Sequence, residues 1–466
     1  MKNGHKPSPI ILGAGLAGLS CAYRLAAKGT KVMVLEKEPV LGGLAASREA
    51  HGLYYDYGPH RFHSQKTHII DFLKELMGDN LIIQKRKSEI FMNSNFFVYP
   101  LSTSNILENM PKHVLLKCFY DYILARIKSF FSSSADDSFE SWVIKRFGKT
   151  LYQIFFGTYT QKVLGLPPSK ISKDWAQQRI HLLSLWSVVE NAIFKSKNPP
   201  RAHTNNFYYP REGGIGQIAE ALAKKILENG SQILLAAKII NIKCTQSGIG
   251  KSTIQSVVFE HNGKRYEEKV SQLMSTIPIT SLPALLDSPF LLEKKSVFEK
   301  VKFRSLIFAY LVLDVGLFSD SQWIYLPEER FFCNRLSEPK NFSKYNLPDN
   351  KTIICAEISC DYQDEKWNMD PEEVKKNVLR DIEQLGSKKI GKENISGYFC
   401  HKIHHSYPVY TMNYKNDIDA ANQLLSSFEN LDCFGRNALF KYGNMDHVIE
   451  MGFKTADKFI LKTQEM

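Results

Sequence analysis

"PIILGAGLAGLSCAYRLAAKG", residues 9–29, combines the signals of a strand, a glycine-rich turn and a helix in one short segment. The apolar run to Leu12 predicts a buried strand, and the residues after the turn predict a helix. Gly13, Gly15 and Gly18 have the spacing G-x-G-x-x-G. Glycines at these positions allow a tight turn, a close approach of the backbone to a diphosphate, and close packing of helix on strand.

An acidic residue follows at the distance that a dinucleotide site requires. The next predicted strand, "KVMVLEK", places Glu36 18 residues after Gly18. A carboxylate about 20 residues after the last glycine binds ribose hydroxyls, and it would repel a phosphate on the ribose 2′ position. Gly42 and Gly43 then allow backbone to pass close to a ligand that extends beyond the diphosphate. Together these features favour a bound dinucleotide over a glycine turn without a ligand.

Composition limits the class of protein and its partners. The chain has 466 residues, 44% of them hydrophobic, and a formal net charge of +12. This charge favours anionic partners such as phosphorylated metabolites, porphyrin-like carboxylates or acidic lipids. The basic residues are scattered and show no nucleic-acid-binding motif, so no nucleic-acid partner is expected. Eight cysteines without a C-x-x-C pair indicate reduced thiols in a cytoplasmic protein. No apolar run of about 18 residues predicts a membrane-spanning helix.

With "LEKEPVLGGLAAS" after the glycine turn, the chain resembles a large group of FAD-dependent oxidoreductases. That group includes amine oxidases, protoporphyrinogen oxidases, phytoene desaturases and UDP-galactopyranose mutases. The resemblance implies FAD held in an extended form. It also implies an α/β fold, with a discontinuous Rossmann-like FAD-binding domain and a substrate (cap) domain of helices and antiparallel sheet.

The pattern along the chain predicts how these domains are interleaved. We expect the FAD-binding domain to comprise residues 1–84, 206–280 and 413–466, the middle part including a β-meander. Residues 85–205 are expected to form a helical part of the substrate domain, and residues 281–412 its sheet together with one helix, "DPEEVKKNVLRDIEQLG".

The C-terminal segment "GRNALFKYGNMDHVIEMG" predicts a loop followed by a helix whose N-terminus faces the flavin. Such a helix terminus would stabilise negative charge on a reduced ring, whereas an ordinary surface turn is the alternative. In the group that the chain resembles, this segment closes the FAD site. The FAD contacts implied are Gly13, Gly15, Ala17, Gly18, Glu36, Lys37, Gly42, Gly43, Leu44, His60, Ile239, Gly435, Arg436, Met445 and Asp446.

"GPHRFHS", residues 58–64, is similar to a Pro-His-x-Phe-His stretch of UDP-galactopyranose mutases, where the loop lies against the isoalloxazine ring. The resemblance makes His60 and His63 the candidate catalytic side chains beside a flavin that itself carries the chemistry. A neutral imidazole could donate or accept a proton there. A structural role stays open for each histidine. A metal site is not expected, because no cluster of carboxylate or cysteine ligands accompanies them.

A second motif concerns the substrate. Mutases hold the diphosphate of the sugar nucleotide with arginines, one in a motif Arg-Ile-Pro-x-Arg. The matching stretch here is "RIHLL", which keeps Arg179 but has Leu183 in place of the second arginine. The substrate contacts expected are Arg179, Arg211, Arg304, Tyr410 and Tyr442. Tyr209 falls in a similar segment, with packing as the alternative, and surface positions are the alternative for Arg211 and Arg304.

The sequence thus predicts an FAD-dependent enzyme acting on an anionic substrate such as a nucleotide sugar. Most of the chain more closely resembles bacterial protoporphyrinogen-oxidase-like flavoproteins, so porphyrinogen oxidation and an amine-oxidase or desaturase reaction remain alternatives. A non-enzymatic FAD-binding scaffold is disfavoured by the complete motifs. The segment "HVLLKCFYDYILARIKSFF", around Phe119, predicts a helix packed in the core. A helix lying on the inner face of a membrane is the alternative for that segment.

Overall fold

The computed structural model describes residues 7–100, 105, 108–131, 137–179, 206–248, 250–386 and 390–465. Contacts divide the chain into two compact units. The first comprises Met1–Ile82, Tyr208–Lys302 and Lys415–Met466, and the second comprises Ile83–Phe207 and Phe303–Tyr414.

The strands are, in chain order, β1 (Ser8–Leu12), β2 (Met33–Leu35), β3 (Ser47–Ala50), β4 (Leu53–Asp56), β5 (Leu81–Lys85), β6 (Ser88–Met92), β7 (Asn95–Tyr99), β8 (Asn206–Pro210), β9 (Gln232–Leu234), β10 (Lys238–Gly248), β11 (Lys251–His261), β12 (Lys264–Ser275), β13 (Phe303–Leu313), β14 (Trp323–Tyr325), β15 (Arg335–Ser337), β16 (Thr352–Cys360), β17 (Ile395–Pro408) and β18 (Leu431–Cys433). The helices are α1 (Leu16–Ala27), α2 (Thr67–Met77), α3 (Lys112–Phe131), α4 (Phe139–Phe147), α5 (Lys149–Leu151), α6 (Thr158–Leu164), α7 (Lys173–Arg179), α8 (Gln217–Glu228), α9 (Pro289–Glu293), α10 (Lys295–Glu299), α11 (Glu365–Asn368), α12 (Pro371–Gln384), α13 (Tyr414–Leu425) and α14 (Met445–Gln464).

The first unit is built on a parallel sheet in the order β18-β12-β1-β2-β9. Strand β1 is central, and Ile10, Ile11 and Leu12 are almost fully buried, as a strand covered on both faces requires. Strand β12 continues beyond this sheet into an antiparallel ribbon with β11 and β10. This arrangement confirms the predicted α/β fold with its meander.

Two helices of the first unit pack unusually closely. A Cβ atom on Gly452 of α14 would lie 2.1 Å from Ser20 Oγ and 2.5 Å from the Ala17 carbonyl oxygen, both in α1. Only glycine therefore allows α14 to lie this close to α1. Because Ala17 lies in the first turn of α1, this contact places Gly452 of α14 beside the start of α1.

Residues 281–302 differ from the sequence-based division, which put them in the substrate domain. They contain the short helices α9 and α10 and belong to the first unit. The Ile242 N–H donates to the Leu285 carbonyl, and the Asp287 N–H donates to the Ile242 carbonyl, at 2.7 and 2.9 Å. These bonds join the segment to β10, which explains the later boundary.

The second unit is built on a seven-stranded sheet in the order β17-β13-β16-β15-β14-β6-β7. Its long strands β13 and β16 are buried at every position. Val374, Val378 and Ile382 of α12 pack with residues of this sheet in one apolar cluster. The predicted α12 and the mixed character of this unit are therefore confirmed.

Two details of the second unit correct the sequence-based expectation. Residues 85–100 were expected to begin a helical region, but they contain the hairpin β6–β7, which extends the sheet. Helix α3 was expected to be packed in the core, but one of its apolar faces is exposed at Leu116, Phe119, Tyr120, Ile123 and Ile127. Apolar periodicity predicts that a helix has an apolar face, but it does not show whether other residues cover that face.

Candidate functional site

The turn between β1 and α1 contains two glycines that the packing of the protein itself requires. Gly13 has a φ of +99°, and a Cβ atom there would lie 2.3 Å from Thr276 Oγ1. A Cβ atom on Gly18 would lie 2.0 Å from the Gly13 carbonyl oxygen. Both distances are far below van der Waals contact. These two glycines therefore allow α1 to pack closely on the sheet.

Gly15, at the N-terminus of α1, is not required by packing. Its φ of −71° and ψ of 170° suit any residue, and the nearest atoms to a Cβ there, on Gly42 and Gly43, are 3.9 Å away. A glycine in such a position leaves space for a ligand to approach the backbone. The first N–H groups of an α-helix have no partner within the helix and favour an anion. The turn therefore fits the diphosphate of FAD.

The second glycine pair lies against this turn. The Gly42 N–H donates to the Ala14 carbonyl oxygen at 2.9 Å, and a Cβ atom on Gly43 would lie 3.2 Å from Gly15 Cα. Leu44 is half-buried within the short helical turn Gly43–Ala45. The structure thus brings together two glycine segments that the sequence predicts to contact one extended ligand.

Glu36, at the end of β2, is buried and has a fixed orientation. Its Oε2 accepts a hydrogen bond from the Ala14 N–H at 2.7 Å, and its Oε1 accepts one from the Glu38 N–H at 2.9 Å. Burial raises the pKa of the Glu36 carboxyl. A carboxylate oxygen can accept more than one hydrogen bond, so this group retains the capacity to bind ribose hydroxyls beside the turn.

Two more of the expected FAD contacts lie around Glu36. The Ala237 N–H donates to the Glu36 carbonyl oxygen at 2.8 Å, which places the start of β10, with the half-buried Ile239, near this residue. Lys37 is exposed and lies 4.0 Å from Glu38 in an ion pair. Contacts of FAD with Ile239 and Lys37 stay predictions.

The strand–loop–helix at the C-terminal end meets the glycine turn. Gly435 has a φ of +87°, and a Cβ atom there would lie 2.9 Å from Ala17 Cβ. Arg436 Nη1 donates to the Gly443 carbonyl oxygen at 3.3 Å, and its guanidinium lies over the Tyr442 ring at 4.7 Å. This loop therefore leads from the start of α1 to the start of α14.

The N-terminus of α14 carries a buried carboxylate. Met445 is its first residue, and Asp446 is 5% exposed. Asp446 Oδ1 accepts a hydrogen bond from the His447 N–H at 2.9 Å, and Oδ2 accepts one from Ser64 Oγ at 2.8 Å. The second bond joins α14 to the loop that contains the two histidines.

That loop, residues 58–64, is fixed at both of its ends. Its start follows β4, and the Gly58 N–H donates to the Asp56 carbonyl oxygen at 2.9 Å. Near its end, Phe62 and Tyr208 exchange two backbone hydrogen bonds of 3.0 and 2.8 Å. With the Ser64 bond to α14, these contacts hold the half-buried side chains of His60 and His63 on a well-defined backbone.

Asp56 organises the segment before this loop. Its carboxylate accepts hydrogen bonds from the hydroxyls of Ser47 and Tyr209 and from the Ile215 N–H, at 2.5, 2.6 and 3.1 Å. Burial raises the pKa of Asp56 to about 6, although these hydrogen bonds oppose the rise. Tyr209 was a possible substrate contact, but its hydroxyl is buried and bound to Asp56, so packing accounts for this residue.

Sequence reasoning missed Asp56, Ser64 and Thr276, because each acts through a partner distant in the chain. Ser64 and Asp446 are 382 positions apart. The one local signal was the position of Asp56 at the end of the apolar and aromatic run "LYYD", because a charged residue that is buried there requires hydrogen-bond partners.

The remaining substrate candidates have differing environments. Arg304 is buried in the second unit, where Nε donates to the Val163 carbonyl at 3.2 Å and Nη1 pairs with Asp361. This corrects the alternative of a surface arginine, and it gives Arg304 a structural task. Tyr410 is 1% exposed and stacks on Tyr414 with ring centroids 4.1 Å apart.

Arg211 is exposed in the first unit. Arg179 is the last residue of α7, but its side chain is not among the described parts of the structure. Leu183 lies outside the described residues. Substrate contacts by any of these residues stay predictions. Among the described residues, no cluster of three or more histidine, cysteine or carboxylate side chains could hold a metal ion. The same residues include no helix with the length and hydropathy needed to cross a bilayer.

Comparison with known proteins identifies the family. Residues 16–416 match the family model described as flavin containing amine oxidoreductase. Mitochondrial protoporphyrinogen oxidase of Nicotiana tabacum is 23% identical over 451 residues, covering 89% of this chain and 87% of the relative. A probable UDP-galactopyranose mutase of Klebsiella pneumoniae is 26% identical over 167 residues, covering 35% of this chain and 42% of the relative.

Solved structures show the same fold. The structure of reduced UDP-galactopyranose mutase superposes with a TM-score of 0.81 at 20% sequence identity, covering 98% of this chain and 94% of that one. The family match spans most of the chain and includes the start of α1, where the turn geometry independently fits a diphosphate. The chain therefore belongs to the flavin containing amine oxidoreductases, and it is an enzyme whose cofactor is FAD.

Proposed function

We propose that this enzyme acts on an anionic nucleotide sugar beside the flavin, in the manner of a UDP-galactopyranose mutase. The observation that carries the proposal is the fixed loop of residues 58–64, which resembles the mutase loop and is tied to α14 by the Ser64–Asp446 hydrogen bond. The net charge of +12 supports an anionic substrate.

The cofactor would be held by the turn at Gly15, by Glu36 and by the loop Gly435–Asp446. When bound, FAD can supply either a nucleophile for a redox-neutral sugar rearrangement or an acceptor for hydride. His60 and His63 would hold or move a proton at an imidazole nitrogen next to the reacting atoms.

Three residues are proposed to bind the substrate phosphates. Arg211 is an exposed cation that can form charge-assisted hydrogen bonds with phosphate. Tyr442, half-buried beneath the Arg436 guanidinium, offers a phenol hydroxyl. Arg179 would supply the arginine retained from the mutase motif. Leu183 takes the place of the second arginine of that motif, so the affinity for a diphosphate should be lower than with both arginines present.

Binding in two redox states tests the proposal. UDP-galactose is titrated into the flavin-loaded protein, oxidised or reduced with dithionite, and the flavin spectrum is recorded. We expect saturable binding that is weakened in Arg211→Gln but unchanged in Arg265→Gln, an exposed arginine of the β11–β12 hairpin. Absence of binding in both redox states would refute the nucleotide-sugar proposal.

A second candidate is oxidation of a porphyrinogen, which the tobacco relative favours because the similarity covers 89% of this chain. The net positive charge would then attract the propionate groups of the substrate. Fluorescence that develops when the flavoprotein is mixed in air with colourless protoporphyrinogen would support this candidate. If the enzyme instead catalyses an amine-oxidase or desaturase reaction, an added amine or carotenoid precursor should reduce the flavin in the absence of oxygen.

A further inference from the structure

Helix α3 exposes a continuous apolar stripe. Leu116 is 70% exposed, Tyr120 61%, Ile127 50%, Phe119 45% and Ile123 39%. Their spacing of three, four, seven and eleven positions from Leu116 places all five side chains on one face of the helix. Exposed apolar clusters of this kind mark interaction sites more often than isolated surface residues do.

The opposite face of α3 is anchored within the second unit. Cys118 and Tyr122 are buried. Asp121 Oδ2 accepts hydrogen bonds from the Thr150 N–H and hydroxyl at 3.0 and 2.6 Å. A Cβ atom on Gly148 would lie 2.8 Å from the backbone of Asp121, so the chain there packs directly on α3. These contacts prevent the helix from turning its apolar stripe inward.

Basic residues border the stripe. Arg126 lies on one side of it, and Lys117 and Lys128 lie on the other, at the angles given by 100° per residue. All three are exposed, as is Lys112 near the start of the helix. The one acidic residue of α3, Asp121, is on the anchored side. The outward face of α3 is therefore apolar along its centre and positively charged along its edges.

We propose that α3 docks this enzyme on the surface of an anionic lipid bilayer, lying in the plane of the headgroups. Apolar and aromatic side chains between lysines and arginines are the pattern of an interfacial helix, in which the basic side chains reach the headgroup phosphates. A protein partner fits this face less well, because lysine is depleted in protein interfaces. This property is independent of the proposed substrate.

Sedimentation with vesicles tests the docking surface. The flavin-loaded full chain is mixed with vesicles of phosphatidylcholine alone or of phosphatidylcholine with phosphatidylglycerol. We expect binding to the anionic vesicles and much weaker binding to the neutral ones. The double variant Leu116→Ser with Phe119→Ser should reduce binding by about tenfold or more, because it removes two inserting side chains.

A matched control exists in the first unit, where Leu292 and Phe290 are 61% and 48% exposed. The double variant Leu292→Ser with Phe290→Ser should bind vesicles as the wild type does. Replacing Lys117 and Lys128 by Gln should weaken binding by about fivefold per charge, and added salt should reduce the difference. The variant Lys224→Gln with Lys269→Gln removes the same charge at other exposed positions, and it should weaken vesicle binding less.

Three outcomes would overturn the docking proposal. Wild-type protein could stay in the supernatant with both kinds of vesicle, or the control pair could lose as much binding as the stripe pair. Light scattering could also show a dimer that the stripe variant dissociates, with no vesicle binding, which would make the stripe an interface between copies. Turnover of a water-soluble substrate should be equal in all variants, so this test is separate from that of the proposed function.

Discussion

Gly15 and Gly18 are three residues apart, but different causes explain them. The packing of the protein requires Gly18, whereas around Gly15 there is room for a Cβ atom in an ordinary conformation. We therefore propose that the space beside Gly15 accommodates the cofactor. Within one turn, packing explains Gly13 and Gly18, whereas for Gly15 we propose a role in binding.

The two glycines should respond differently to the same substitution. Gly15→Ala should leave the free energy of unfolding of the apoprotein unchanged within about 0.5 kcal/mol, while FAD binding weakens markedly. Gly18→Ala should destabilise the apoprotein by about 1–3 kcal/mol through overpacking. Urea unfolding and the flavin content after dialysis measure both effects. Equal destabilisation by the two substitutions would contradict this division.

Asp56 should make stability depend on pH. Its folded pKa of about 6 exceeds the ordinary value of 3.8, so the folded state retains a proton that the unfolded state loses. The resulting stabilisation is present below about pH 4 and is lost as the pH rises to about 6, amounting to about 3 kcal/mol. Asp56→Asn should abolish this pH dependence, as measured by urea unfolding at several pH values.

The exposed Asp79, also in the first unit, provides the control. Asp79→Asn should leave the pH profile between pH 4 and 6 as it is in the wild type. Tyr209→Phe should move the loss of stability to higher pH, because the Tyr209 hydroxyl lowers the pKa of Asp56. An unchanged slope in Asp56→Asn would show that another group controls this range.

Local chemistry made part of the site predictable from sequence. Gly13, Gly18 and Glu36 act within one strand–turn–helix–strand segment, where spacing specifies geometry. The bond between Ser64 and Asp446 could not be predicted, because it joins residues 382 positions apart. The burial of Arg304 was also unpredictable, because its ion-pair partner Asp361 directly follows β16, a different strand of the sheet.

Among the secondary-structure elements, the sequence did not predict which apolar faces are exposed. The hairpin β6–β7 lies within residues 85–205, which were expected to form a helical region. Strand β12 begins with the polar and mostly exposed segment "KRYEEK" and continues into the buried sheet, so its two halves have different patterns. For α3 the apolar periodicity correctly predicted a helix, but a sequence pattern cannot show that the apolar face of this helix is exposed.

A buried ion pair joins β15 and β16 in the second unit. Arg335 donates to both oxygens of Glu357, each at 2.7 Å, and the Glu357 side chain is 2% exposed. Arg335→Met should cost about 3–5 kcal/mol, because it leaves a carboxylate buried without its cation. The double variant with Glu357→Met should regain most of that loss in urea unfolding. Equal stability of the single variant and the wild type would contradict the assignment.

In the molecule as a whole, the residues proposed to bind FAD come from three separate parts of the chain that form the first unit. A ligand that binds only the folded protein stabilises it, by about 2.7 kcal/mol at a concentration one hundred times its dissociation constant. We therefore expect the melting temperature of the apoprotein to rise with FAD concentration. Hydrogen exchange should slow at the start of α1, in residues 58–64 and at the start of α14.

Titration of the apoprotein with FAD determines whether the turn at Gly15 and the carboxylate of Glu36 hold the cofactor. We predict saturation at equimolar FAD, with a shifted flavin absorption band, and a large loss of affinity in Glu36→Gln. Protein that stays colourless in excess FAD would contradict this assignment, as would Glu36→Gln and Gly15→Ala variants that bind FAD as tightly as the wild type.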